Sequence, residues 1–114
     1  MPVSTQYREF VLEQLGRVAP VTSRRMFGGV GIYADGLFFA LIDDDTLYLK
    51  VDDSNRGDFV AAGSQPFRPY GDERTMQYYE LPGDVLEDAD ALRGWVDRAV
   101  TVAAAAATAT RRRR

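Results

Sequence analysis

The stretch from Arg24 to Tyr33 constrains the fold of this chain most, because it has the apolar character of a strand but contains three glycines. Glycine weakens an ordinary strand interior, and it is used where the backbone bulges, bends or lets another surface come close. Arg24 and Arg25 precede the glycines, and a regular strand would place these two neighbours on opposite faces of a sheet. We therefore expect an extended segment with a local irregularity at the glycines.

Turn signals after this stretch predict an antiparallel meander. Extended runs cover residues 24–33, 37–42 and 46–51. Asp35-Gly36 joins the first two and is typical of a two-residue hairpin turn, while Asp43-Asp44-Asp45 joins the next two. The sequence therefore predicts three consecutive antiparallel strands.

Helical signals flank the meander on both sides. The first helix is predicted to run from a cap at Ser4 or Thr5 to about Arg17. A short helix over residues 55–62 is predicted to bury both Phe59 and Val60. Each of these helices would pack one apolar side against the sheet.

The second half of the chain is predicted to add two strands and a long helix. The strands cover residues 66–70 and 76–81, and Asp84 with Glu87 matches a capping box. An apolar stripe at helical spacing follows, formed by Leu92, Trp95, Val96, Ala99, Val100 and Ala103. The predicted order is α-β-β-β-α-β-β-α, an α+β fold with an antiparallel sheet and packed helices.

The length of 114 residues suits one domain with its own core. We assign residues 1–102 to that domain and residues 103–114 to an alanine-rich tail that ends in four arginines. No run approaches the roughly 18 apolar residues of a membrane span, and the N-terminus lacks the pattern of a signal peptide. A cytoplasmic location is therefore expected.

Cysteine and histidine are both absent from the sequence. Their absence removes the usual zinc, iron and copper ligands and the commonest general base at neutral pH. We therefore expect no cofactor, no metal and no enzymatic activity.

The net charge of −3 is unevenly distributed along the chain. Residues 1–34 carry a surplus of two positive charges, residues 35–110 carry nine more carboxylates than cations, and the tail adds four arginines. An acidic body repels nucleic acid over most of its surface. Direct DNA contact would therefore be confined to Arg24, Arg25 and the tail from Arg111 to Arg114.

Three local patterns have both a chemical and a structural interpretation. The run from Gly29 to Ala34 fits the G-x-G-x-x-G/A spacing of dinucleotide-binding loops but leads into a hairpin rather than a helix. The aspartates at 43–45 could bind Mg²⁺ or Ca²⁺, or form a solvated hairpin tip. Tyr48 and Lys50 share one strand face, where they could act with Glu80 on a small ligand or pair with nearby carboxylates.

Five motifs occur in an order that points to a known family. Arg25-Met26-Phe27-Gly28-Gly29 is followed by residues 36–40, 47–52, 76–79 and 92–95. Together they resemble the TfoX/Sxy N-terminal domain family of bacterial competence and transcription regulators. The resemblance implies an α+β, secretion-chaperone-like domain that acts on DNA-uptake genes together with the cyclic-AMP receptor protein in some bacteria. Full-length regulators of this family resemble two-domain proteins, and the helical C-terminal domain is missing from these 114 residues.

The leading functional hypothesis is a non-enzymatic, cytoplasmic protein-interaction module, either a transcription or competence co-regulator or a stand-alone paralogue. Its partner would be a component or regulator of the transcription machinery. A homodimer through an exposed strand edge is a further alternative, and no membrane contact is expected. The predicted contact surface comprises Arg24, Arg25, Phe27, Gly28, Gly29, Tyr48 and Lys50. The alternatives are a DNA-binding protein that uses Arg24, Arg25 and the arginine tail, and a small-ligand protein or enzyme that uses Tyr48, Lys50 and Glu80.

Overall fold

The computed structural model describes residues 3–26, 28–69 and 76–112. The described residues form helices and one five-stranded antiparallel sheet, which confirms the α+β class. The elements are α1 (Thr5–Gly16), β1 (Thr22–Met26), β2 (Gly29–Ala34), β3 (Leu37–Asp43), β4 (Thr46–Lys50), α2 (Arg56–Ala61), β5 (Tyr78–Glu80), α3 (Gly83–Leu86) and α4 (Ala89–Arg112).

The five strands follow one another across the sheet in chain order, so β1 and β5 are its outer strands. Two tight turns connect β2 with β3 and β3 with β4. Asp35 and Gly36 have φ values of 51° and 76°, and Asp44 and Asp45 have φ values of 50° and 52°. Left-handed pairs of this kind match the twist of the strands they join, and aspartate and glycine tolerate them. The hairpin predicted at Asp35-Gly36 is thus confirmed.

The element order differs from the predicted one at the first extended run. Residues 24–33 do not form one strand, because the chain reverses between Met26 and Gly29 and then pairs with itself. Gly28 has a φ of 82°, a conformation that only glycine adopts without strain. The irregularity expected at the glycines is therefore a complete turn, and the meander has four strands instead of three.

A second difference concerns residues 66–70, which were predicted to form a strand. The described part of this segment makes one isolated bridge, between Pro66 and Tyr79, supported by a 2.8 Å hydrogen bond from the Phe67 amide to the Tyr78 carbonyl. The carbonyls of Gln65 and Phe67 also accept from the amides of Glu80 and Met76 at 3.0 Å, but Pro69 has no amide hydrogen with which to continue the pairing. The turn predicted at residues 71–74 lies outside the described residues.

The helix ends confirm one prediction and correct another. Ser4 caps α1 as predicted, since its hydroxyl accepts a hydrogen bond from the Tyr7 amide at 3.2 Å. The predicted capping box at Asp84 is wrong, because α3 has no side-chain cap. Asp88 takes that role for α4 and accepts from the amides of Asp90 and Ala91. The helix α4 continues past residue 102 to Arg112.

One face of the sheet is covered by the helices and forms the main core. Val11 and Leu15 of α1, Phe59 of α2, and Leu92 and Val96 of α4 are buried there against the strands. The predicted burial of Val60 is wrong, because this side chain is 60% exposed while its neighbour Phe59 is 1% exposed. Successive residues of a helix point about 100° apart, so α2 buries Phe59 against the sheet and leaves Val60 exposed.

Candidate functional site

The opposite face of the sheet carries a separate apolar cluster. None of its members comes from a helix in the described part of the chain. We call this surface the aromatic face, and it comprises Tyr33, Phe38, Leu41, Tyr48, Phe67 and Tyr78. Leu41, Phe67 and Tyr78 are buried within it, whereas Tyr33, Phe38 and Tyr48 are half-buried. The sheet therefore has one face packed under helices and one face that presents partly accessible rings.

The rings of the aromatic face form a contiguous array across β2, β3, β4 and β5. Ring centroids lie 5.3 Å apart for Tyr33 and Phe38, 5.6 Å apart for Phe38 and Tyr78, and 4.9 Å apart for Tyr48 and Phe67. Pairs at these separations each contribute about 0.5–1.5 kcal/mol beyond their buried area. The rings therefore form two contacting sets, Tyr33 with Phe38 and Tyr78, and Tyr48 with Phe67, which belong to one apolar cluster with Leu41.

Tyr48 and Lys50 both lie on this face, as their spacing predicts. Tyr48 stands opposite Glu80 in the sheet, and Lys50 stands opposite Tyr78. The Lys50 ammonium lies 5.0 Å from the centre of the Tyr78 ring, within range of a cation–π interaction. Burial, and then the charge of Glu80, raise the pKa of Tyr48 above its usual value of 10.0, so this phenol keeps its proton at neutral pH.

Tyr78 provides a pH-dependent test of the aromatic face. Burial, and then the neighbouring Tyr33, raise the pKa of Tyr78 to about 12. The unfolded chain loses this proton near pH 10, so the stabilising effect of Tyr78 is complete below pH 10 and is lost as the pH rises from 10 to about 12. We expect the free energy of unfolding, measured by urea denaturation, to fall across this window and to fall less in Tyr78→Phe. An equal fall in the variant would contradict the placement of Tyr78.

The two arginines of β1 lie on opposite faces of the sheet, as expected. Arg24 pairs with Gly31. A Cβ atom built at Gly31 would meet side-chain atoms of Met26 and Phe38, so this position faces the aromatic side. Arg25 pairs with Val30, a member of the main core. Residues directly opposite each other in an antiparallel sheet share a face. Arg24 therefore belongs with Lys50 on the aromatic face, and Arg25 lies on the helix-covered side.

Three of the predicted contact residues lie away from the aromatic face and line one cavity. Arg25, Gly28 and Gly29 line a cavity of about 470 Å³ between the first turn of α1 and the β1–β2 turn, and Arg8 of α1 lines it too. We call this the Arg8 cavity. The predicted surface thus divides between the aromatic face and this cavity, and Phe27 lies outside the described residues. Arg8 was not predicted, because only the docking of α1 brings it to the glycine turn.

Tyr48, Lys50 and Glu80 share one sheet face but do not line one groove. Tyr48 lines a shallow groove of about 350 Å³ with Phe67 and Arg68, but Lys50 and Glu80 do not line it. The run from Gly29 to Ala34 is a sheet strand and opens no helix, so it lacks the setting that a dinucleotide-binding loop requires.

The aspartates of the β3–β4 turn occupy a hairpin tip. The carboxylate of Asp45 accepts a hydrogen bond from the Ser4 amide at 2.7 Å, which ties the start of α1 to this turn. In the described ranges no group of three or more acidic side chains is arranged to hold a metal ion. Nor does any described helix combine the length and apolar character needed to cross a membrane.

Comparison with known proteins identifies the family of this chain. Comparison with curated proteins gave no match. Residues 13–103 match the TfoX N-terminal domain, a segment that includes all five strands and the part of α4 that packs on the core. Because this match covers most of the chain, the protein belongs to the TfoX N-terminal domain family, a family of regulatory, competence-related domains.

Proposed function

We propose that this domain is a non-enzymatic, cytoplasmic module that binds a regulatory protein partner through the aromatic face. The observation that carries the proposal is a sheet face with five aromatic rings that no described helix covers. Aromatic side chains are enriched at protein interfaces, where rigid rings bury a large area at a small cost in conformational entropy. The family supports a role in the control of transcription or competence.

The charges beside the aromatic face define the chemistry of the partner. Arg24 and Lys50 flank the rings, and neither forms an ion pair with a carboxylate of the described residues. Most other regions of the chain are acidic. Glu80 also lies beside Tyr48 on this face, so an apolar partner surface that sets carboxylates against Arg24 and Lys50 would complement it.

The test is affinity capture of the tagged protein from a lysate of its own cells, with and without nuclease, followed by binding measurements with the partner obtained. We expect nuclease-resistant capture, and at least a tenfold loss of affinity in the double variant Arg24→Ala, Lys50→Ala, because two charges that border the contact are removed. Arg17→Ala is the matched control, since Arg17 pairs with Glu13 on α1 and is remote from this face. Circular dichroism would confirm that all three proteins are folded.

The alternative of direct DNA binding gives different results in the same experiment. Capture that nuclease abolishes, and that weakens steeply with salt, would indicate phosphate contacts. Unchanged affinity in the double variant would remove the aromatic face as the contact surface. Arg24 and Arg25 lie on opposite faces of β1, so they cannot both contribute to one flat interface with a duplex.

A further inference from the structure

The Arg8 cavity combines two cations with uncharged walls. Arg8 and Arg25 are its only charged lining residues among those described, and no carboxylate lines it. Its volume of about 470 Å³ is within the range of pockets that bind small organic molecules. The other lining residues are Val3, Thr5, Met26, Gly28, Gly29 and Val30.

Arg8 is the most informative residue of the cavity. The Nε atom of its guanidinium is buried and has no hydrogen-bond partner. An unpaired donor on a buried charged group is costly, because the donor has lost water and gained nothing in exchange. Arg8 is therefore a partly buried cation that no acceptor of the described residues compensates at Nε.

Three other arginines of the described residues are paired with carboxylates of the chain. Arg17 pairs with Glu13 at 3.4 Å, Arg98 pairs with Asp58 at 3.2 Å, and Arg56 pairs with Asp53. Within the described ranges, neither Arg8 nor Arg25 forms such a pair, although the chain contains 17 carboxylates. Arg24, Arg68 and Arg93 also lack an ion pair among the described residues, but Arg8 and Arg25 are the two that line one cavity, where both are available to an anion from outside the chain.

The glycine turn leaves the rim of the cavity open. Gly28 has a positive φ, and a Cβ atom added there would have no heavy atom within 4 Å. Gly28 itself therefore adds no side chain to the rim of the cavity. The apolar side chains of Val3 and Val30 offer contact to an uncharged part of the same ligand.

We propose that the Arg8 cavity binds the phosphate group of a small organic phosphate. Guanidinium groups bind phosphate through paired, charge-assisted hydrogen bonds, and two of them here would share the oxygens of one phosphate. The organic part of the ligand would lie against the apolar walls. A cavity much larger than a single ion is expected for such a molecule and is unnecessary for inorganic phosphate alone.

The test is calorimetric titration of the full chain with phenyl phosphate, inorganic phosphate and phenol at matched ionic strength. We expect one saturable site for phenyl phosphate, weaker binding of inorganic phosphate and no binding of phenol. Amide resonances of Gly28 and Gly29 should shift with phenyl phosphate in nuclear magnetic resonance spectra. No saturable binding of phenyl phosphate, or binding no tighter than that of inorganic phosphate, would overturn the proposal.

Variants then locate the site. Arg8→Gln and Arg25→Gln should each weaken the binding of phenyl phosphate at least tenfold, whereas Arg17→Gln should leave it unchanged. Arg25 is exposed, so Arg25→Gln tests the cavity even if Arg8→Gln disturbs the packing of α1. Full binding in Arg25→Gln would overturn the assignment. The result is independent of the proposed protein partner, because Arg25 lies on the opposite side of β1 from the aromatic face.

Discussion

Phe59→Ala is expected to lower the free energy of unfolding by about 3–5 kcal/mol, the range for a fully buried phenylalanine replaced by alanine. Phe59 is 1% exposed and is the buried residue of α2. Its ring meets Trp95 edge-on at a centroid distance of 4.8 Å and contacts Tyr79 at 5.9 Å. The substitution removes both ring contacts and leaves a cavity between α2, α4 and β5.

The measurement is urea denaturation followed by circular dichroism, and Val60→Ala is the matched control. Val60 is the next residue of the same helix but is 60% exposed, so its truncation should change the free energy of unfolding by less than about 0.5 kcal/mol. Similar losses in the two variants would show that α2 is not docked through Phe59. A loss below about 1 kcal/mol in Phe59→Ala would contradict its burial.

Gly29→Ala has the second largest expected effect. A Cβ atom at position 29 would lie 2.5 Å from the carbonyl oxygen of Ile42, an atom of the β3 backbone. That carbonyl belongs to the central sheet and cannot move aside without disturbing the pairing of β2 with β3. We expect a loss of about 1–3 kcal/mol in the free energy of unfolding, the usual range for forced overpacking.

Gly16→Ala is the control for this second experiment. Gly16 is the last residue of α1, and a Cβ atom there would have no heavy atom within 4 Å. Alanine favours the helix, so this variant should gain up to about 1 kcal/mol. The free energy of unfolding should fall in Gly29→Ala and rise in Gly16→Ala. This difference would show that position 29 requires glycine for steric reasons and that the loss is not a general effect of replacing glycine. A gain at both positions would refute the close approach of β2 to Ile42.

Local turn chemistry was the most informative part of the sequence. The Asp35-Gly36 hairpin was predictable because both residues tolerate a left-handed backbone, and the Ser4 cap was predictable because its hydroxyl lies beside the helix start. The sequence did not predict that residues 24–33 form two strands, since the apolar character continues through the turn. Only the pairing of Arg25 with Val30 reveals that the chain reverses there. The alternation of a strand placed Tyr48 and Lys50 on one face, but the packing of that face depends on distant residues.

The same reasoning explains what was predictable about the candidate sites. The separation of Arg24 from Arg25 follows from strand geometry and needs no tertiary information. The link between Arg8 and the glycine turn depends on how α1 docks on the sheet, and no spacing in the sequence encodes it. Val60 was misplaced for a related reason, because a helix of six residues has too few apolar positions to define which side faces the core.

The strand order has a consequence for self-association through the sheet. At one end, the segment around Pro66 already occupies part of the outer edge of β5. At the other end, β1 is the last strand of the described sheet and has Arg24 at its centre. A second copy that added to β1 with twofold symmetry would set Arg24 against Arg24, and like charges directly opposite each other destabilise a pair of strands. Arg24 therefore disfavours this pairing of two copies along β1, and the segment around Pro66 leaves less of the β5 edge free for it.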